Sequence, residues 1–263
     1  AWGVLVSEFM LQQTPVARVE PVWLEWMRRW PTPAALAAEP SGEAIRAWGR
    51  LGYPRRALRL HACAVEITGR HGGRVPGDVA VLLDLPGVGS YTARAVAAFA
   101  YGARVPVVDT NVRRVVARLV DGVADGGPAN RPAHLAAVDA LLPAEPASAA
   151  VASAALMELG AVLCTARAPR CGDCPVRDAC AWLRAGRPAA DGPGRRAQAY
   201  AGTDRQVRGL LLEVLRGAHA PVPRQRLDLV WPLAAQRERA LAGLLADGLV
   251  QEIPPGGVYR LPG

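Results

Sequence analysis

Apolar residues along this chain recur mostly at helical spacing, and strand-type patterning is confined to its C-terminal end. Trp23, Trp26 and Trp30 fall at i, i+3 and i+7, which places them on one helix face as a core stripe. Pro31 and Pro33 stop that helix, and the pattern predicts further helices over 43–50, 55–68 and 79–85. A long helix is expected from Ser90 to Tyr101 and another over 110–120 capped by Asp109, with two more over 133–142 and 147–163. Residues 184–202 are rich in Gly, Pro, Ala and Arg and read as a linker. Beyond it, amphipathic segments at 205–216, 223–230 and 234–245 precede two short strands around the Pro254–Gly257 turn. Three helices and a β-hairpin predict a small winged helix-turn-helix.

Composition sharpens this picture at one point. All 31 basic side chains are arginine, because the sequence holds no lysine. Set against 23 acids they leave a net charge of +8, which suits a polyanion, nucleic acid before a membrane surface. No uninterrupted apolar run reaches the roughly 18–20 residues that span a bilayer, so no membrane partner is expected. The chain starts without Met and runs straight into patterned sequence, and the expectation is a fragment lacking its true N-terminus.

Five cysteines are present, four of them between 164 and 180. That crowding predicts a metal site in a reducing compartment, the cytoplasm, rather than a disulfide framework. Cys164, Cys171, Cys174 and Cys180 are spaced C-x6-C-x2-C-x5-C. Zinc usually takes two C-x2-C knuckles, whereas a [4Fe-4S] cluster accepts looser spacing; the iron–sulfur cluster is favoured and zinc is the alternative. Arg167, Arg170, Arg177, Arg184 and Arg187 around the loop could face phosphates. Cys63 reads as a buried structural thiol. Arg113, Arg114 and Arg118 read as a solvated helix face, and His61, His71, His134 and His219 show no ligand spacing.

Between two helices lies Leu85-Pro86-Gly87-Val88-Gly89-Ser90-Tyr91-Thr92-Ala93. Gly87 and Gly89 permit a tight turn and close backbone approach, and the helix that follows offers free N–H groups to a phosphate. This is a helix-hairpin-helix pattern. Together with a downstream Asp and the four-cysteine loop, it makes the chain resemble the helix-hairpin-helix glycosylases of the endonuclease III superfamily. Ser7-Glu8-Phe9-Met10-Leu11-Gln12-Gln13-Thr14 is similar to the signature of the MutY adenine glycosylases, and Leu51-Gly52-Tyr53, Val108–Val112 and Met157–Gly160 follow the same family. The winged-helix tail and the Asp109-Thr110-Asn111 wording look like actinobacterial members.

The resemblance implies an all-α fold: a six-helix barrel over 1–103 with the helix-hairpin-helix at 79–101, an iron–sulfur helical domain over 104–184, a linker over 185–203 and the winged-helix-like domain over 204–263. It implies a monofunctional base-excision-repair glycosylase, monomeric and nucleoid-associated, that flips adenine out of double-stranded DNA where it faces 8-oxoguanine or guanine. Glu8 would be the general acid, with its pKa raised by burial, and Asp109 would stabilise an oxocarbenium-like sugar. Asn111 and Tyr91 would orient these groups and Glu158 would hydrogen-bond the adenine. Gln12, Gln13, Thr14 and Tyr53 would sit at the lesion, with Gly87 and Gly89 on the DNA backbone. Departures are also visible. Family members carry a further N-terminal segment, most have a Nudix-like domain where the winged helix stands, Thr110 replaces a Gly, and Pro54 replaces a second Tyr. Two alternatives remain: an endonuclease III-like glycosylase for oxidised pyrimidines, whose lysine position is taken by Tyr91, and a non-catalytic DNA-binding module.

Overall fold

The computed structural model describes residues 1–128, 132–189 and 200–263. Most of the linker expected at 185–203 therefore lies outside the described residues. The chain forms two compact units. One holds Trp2–Pro76, Asp84–Gly87 and the C-terminal segment; the other holds Gly77–Leu83 and the described part of 88–195.

The first unit opens with α1 (Trp2–Leu11), α2 (Val16–Arg29), α3 (Pro33–Ala37), α4 (Ser41–Trp48) and α5 (Arg55–Arg70). Helix α5 buries Arg56, Ala57, Leu60, Cys63, Ala64 and Ile67, a stripe one residue type short of fully apolar. Phe9, Met10, Trp26, Trp30, Trp48 and Ile45 fill the core around it, each at most 1% exposed. The tryptophan stripe is thus a packing feature. Trp26 and Trp30 meet edge to face at 4.8 Å, and the Trp26 ring N–H donates to the Ala47 carbonyl at 3.0 Å. Thr32 caps α3 by accepting from the Ala35 amide. Cys63 is fully buried, and that burial pushes its thiol up to about 12, as expected of a structural cysteine.

The C-terminal segment belongs to the same unit. Helix α12 (Asp204–Arg216), β1 (Val222–Pro223), α13 (Arg224–Asp228), α14 (Ala234–Ala246), β2 (Gln251–Ile253) and β3 (Val258–Arg260) build a winged helix-turn-helix. Its sheet has the order β1-β3-β2, antiparallel throughout, with Tyr259 between Val222 and Glu252. Strand β1 is additional to the expected hairpin: two residues ending in proline carry no alternation to read. This tail is seated on α4. The Gly42 amide donates to the Pro262 carbonyl at 2.8 Å, and Arg216 Nε donates to the Ile45 carbonyl at 3.0 Å. Burial pulls the Arg216 guanidinium down to about 10.

In the second unit, α6 (Val79–Leu83) and α7 (Ser90–Tyr101) flank the hairpin, and α8 (Thr110–Val116) continues through a wider π turn over Ala117–Asp121. Helix α9 (Pro132–Leu141) and α10 (Pro146–Glu158) follow, a second π turn covers Leu159–Leu163, and short 3₁₀ turns lead to α11 (Ala181–Arg184). Val112, Val116, Val138, Leu142 and Ala149 form its core. One expectation fails here. Pro146–Leu163 is long and apolar enough, by length and composition, to cross a membrane, with mean hydropathy 1.5. The segment is not an uninterrupted apolar run: alanines raise the average around the spaced Ser148, Ser153 and Glu158.

The seat of the tail gives a signed expectation. Gly→Ala in a helix ordinarily stabilises by about 1 kcal/mol. At Gly42, however, an added Cβ would stand 2.3 Å from the Pro262 carbonyl oxygen. Gly42→Ala is therefore expected to speed limited proteolysis of residues 204–263 and to lower the melting temperature; an unchanged digestion rate would contradict the docking.

Candidate functional site

Three arginines organise the site residues, and sequence reasoning passed over the first of them, Arg56. Arg56 is 6% exposed and has no carboxylate within ion-pair reach among the described residues. Its guanidinium instead donates to the carbonyls of Phe9 (2.9 Å), Met10 (3.1 Å), Gln12 (2.5 Å) and Gly52 (3.1 Å) and to Thr14 Oγ1 (3.0 Å). It also lies 5.2 Å over the Trp48 ring and 5.4 Å over the Tyr53 ring. Burial draws its pKa below the ordinary arginine value. The end of α1, carrying Gln12 and Gln13, is thereby tied to the Leu51-Gly52-Tyr53 loop. Thr14 is buried between them and reaches the Leu51 carbonyl. The signal was present in the sequence: one charge on the apolar face of α5.

Gln13 (φ 56°) and Tyr53 (φ 47°) both adopt the left-handed backbone that side chains with a Cβ avoid. Both are exposed. Strained, exposed residues held by an over-determined clamp are a mark of a binding site. Glu8, on α1 in the same unit, is 6% exposed.

At the hairpin, Gly87 takes φ +80°, and a Cβ there would meet Arg59 Cβ at 2.7 Å. Gly89 differs: a Cβ would meet nothing within 4 Å. The protein does not need glycine at 89 for its own packing, so the open space suits a ligand backbone approaching the amides that begin α7.

The second unit gathers Tyr91, Asp109 and Asn111. Asp109 caps α8, its Oδ1 accepting from the Val112 amide at 2.7 Å while Oδ2 accepts from Asn111 Nδ2 at 2.9 Å. Asn111 Oδ1 in turn accepts from Arg114 Nη2 at 2.8 Å. Tyr91 and Met157 pack on the same cluster of Ala95, Ala98 and Val107. Glu158 is exposed at the end of α10. A Cβ at Gly160 would stand 2.7 Å from Asn111 Cβ, which explains the glycine in Met157-Glu158-Leu159-Gly160.

Arg114 and Arg118 correct the reading of a solvated helix face. Arg114 donates to the carbonyls of Gly160 (2.6 Å) and Cys164 (2.7 Å). Arg118 is 4% exposed and donates to Thr165 O (2.8 Å), Ala166 O (3.2 Å) and Cys164 Sγ (3.3 Å), with its guanidinium 4.5 Å over Trp182. The π turn at 117–121 turns these side chains inward toward the cysteine loop. Cys180 Sγ donates to the Arg118 carbonyl, so both ends of the loop meet one residue. Arg170 and Arg177, expected to face phosphates, are exposed and lie within ion-pair distance of Asp173 and Asp178.

The four cysteines are free, half-buried thiols. Among the described residues no three Cys, His, Asp or Glu side chains converge as a site for a single ion. Four thiolates are the donor set of a four-iron cubane. The donor set and the Arg118 hydrogen bond to sulfur fit such a group.

These features define a class of protein: a helical DNA-binding repair fold with an iron–sulfur loop. Residues 6–128 match the HhH-GPD superfamily of base excision DNA repair proteins, and residues 164–180 match the iron–sulfur binding domain of endonuclease III. Over the whole chain and 86% of its relative, the sequence is 61% identical to an adenine DNA glycosylase of Mycobacterium tuberculosis (strain CDC 1551 / Oshkosh). It is 40% identical to the human adenine DNA glycosylase over 181 residues, 68% of this chain and 33% of that protein. The structure of a non-covalent endonuclease III–DNA complex matches with TM-score 0.61 at 25% identity, covering 70% of this chain and 84% of that one. The chain belongs to the HhH-GPD superfamily, among its adenine DNA glycosylases. It is an enzyme of base excision repair that acts on adenine in DNA and carries a [4Fe-4S] cluster, with Cys164, Cys171, Cys174 and Cys180 lying in the segment that matches the iron–sulfur binding domain.

Two outcomes are expected. Arg56→Met should lower unfolding free energy by about 3 kcal/mol, since several buried acceptors lose their donor; a denaturant midpoint within error of the parent would refute the clamp. Arg118→Met should reduce iron per chain in anaerobically purified protein, whereas Arg167→Met should leave it unchanged.

Proposed function

We propose that this chain hydrolyses the N-glycosidic bond of adenine facing 8-oxoguanine or guanine, as a monomer, without cutting the strand. The observation that carries the reading is the Asp109–Asn111 pair: a carboxylate fixed by a backbone amide and a side-chain amide, held ready beside a developing positive charge. Glu8 delivers a proton to the adenine ring, the bond from the base nitrogen to the sugar C1′ breaks, and adenine leaves neutral. Burial is the setting in which a carboxyl keeps a proton to give. Asp109 stabilises the cationic sugar until water adds at C1′ and gives up a proton to the Glu8 carboxylate, leaving an abasic site. Asn111 and Tyr91 hold these groups in place, and Glu158 contacts the base. Gln12, Gln13 and Tyr53 contact the mispair, and Gly87 and Gly89 the backbone.

A lysyl Schiff base, the route to strand cleavage, has no side-chain amine among these residues. The cluster, when bound, braces the loop of its four cysteines, to which Arg114 ties Asn111 and so Asp109; no step of the hydrolysis runs through it. The site of action is the intracellular, nucleoid-bound DNA.

On a duplex with adenine opposite 8-oxoguanine, the parent should release adenine and leave the strand intact until alkali is added. Glu8→Gln is expected to abolish release, and Asp109→Asn to slow single-turnover release by about 10²-fold or more. Release surviving Glu8→Gln, or nicking before alkaline or amine treatment, would sink the scheme.

A further inference from the structure

A groove in the first unit lies where the tail meets Gln12, Gln13 and Tyr53. It has a volume of about 730 Å³ and is lined on one side by Gln12, Gln13 and Tyr53 and on the other by α12 and Tyr200. Eight arginines line it against a single acid, Glu213. Five are already engaged. Arg56 and Arg216 are committed to backbone carbonyls, Arg50 pairs with Glu213 at 3.4 Å, and Arg55 and Arg208 share Asp247. Arg18 caps the Arg50 carbonyl, and Arg59 and Arg205 are exposed. These last three have no acid within ion-pair reach among the described residues.

Two exposed aromatic rings accompany this charge, Tyr53 and Tyr200, 52% and 53% exposed. Arg205 lies 5.3 Å over the Tyr200 ring, and Gly209 leaves room for its hydroxyl, 3.3 Å from where a Cβ would stand. Arg59 touches the hairpin glycine Gly87, so the groove runs on from the hairpin. Unpaired guanidinium groups with flat rings beside them suit phosphates and an unstacked base.

The other helices of the tail do not offer this. The charged side chains of α14, Arg237, Glu238 and Arg239, are ion-paired to Asp228, Arg224 and Asp204. The second helix of the helix-turn-helix is therefore electrostatically satisfied within the tail, and α12 is not.

We propose that this groove binds a strand of the substrate DNA, with Arg59 and Arg205 on phosphates and Tyr200 against a base, so that the tail joins the DNA interface through α12 rather than α14. The proposal rests on DNA being the substrate, as the adenine glycosylase reading has it.

The test uses the full chain, the double variant Tyr200→Ala/Arg205→Ala, and Arg226→Ala as a control. Arg226 is exposed on α13 outside the groove, so its variant also removes one charge from the tail. Equilibrium binding to an undamaged duplex and to one with adenine opposite 8-oxoguanine is measured across a salt series, with thermal melts to confirm folding. The double variant should bind about tenfold more weakly, with the log–log salt slope reduced by about 1. Arg226→Ala should match the parent in both affinity and slope. Unchanged affinity in the folded double variant, or an equal loss in Arg226→Ala, would overturn the groove. Absence of adenine release from the parent would instead overturn the function proposed above, since affinity and slope are read independently of turnover.

Discussion

A buried guanidinium, Arg56, with no acid to meet it among the described residues, holds the end of α1 and the loop after α4 together. Arg56 can only stay charged inside the protein because four carbonyls and a hydroxyl, drawn from the end of α1 and the loop after α4, converge on it. The same convergence fixes Gln13 and Tyr53 in backbone conformations that an unconstrained chain would leave. That charge gives the two segments a shared partner, beside the direct Thr14–Leu51 hydrogen bond. An ion pair would have satisfied Arg56 with one side chain, whereas carbonyl ligation forces two separate stretches of backbone into register.

The second unit repeats the device in another setting. Arg114 and Arg118 bind carbonyls of the cysteine loop, and Arg114 also holds Asn111, which holds Asp109. A chain of short hydrogen bonds thus runs from the cluster loop to the carboxylate at the N-terminus of α8. Loop and carboxylate are thereby linked through Arg114 and Asn111. Arginine suits both tasks, since its planar fork offers five donors in fixed directions.

Much of this was legible in the chain itself. The helix over Ser90–Tyr101 is found at its expected ends, because Gly89 and Gly102 bracket an unbroken apolar pattern. The cysteine spacing, the hairpin glycines and the cap at Asp109 follow from local chemistry within a few residues. The roles of Arg56, Arg114 and Arg118 did not follow, because a charged residue in a helical pattern reads as solvated until its long-range neighbours are known. Their acceptors lie about 40 to 50 positions away along the chain. Strand β1 escaped for the opposite reason, being too short to show a period.

The sequence by itself determined that this is a helical, arginine-rich, lysine-free DNA glycosylase with a four-thiolate cluster, since those properties reside in residue types and local spacing. Only the tertiary structure decided which arginines are ligands of the backbone and which have no acid beside them among the described residues. It also decided that α12 walls the groove beside Gln13 and Tyr53. Both depend on burial and on partners distant in sequence, and a pattern read along the chain carries neither.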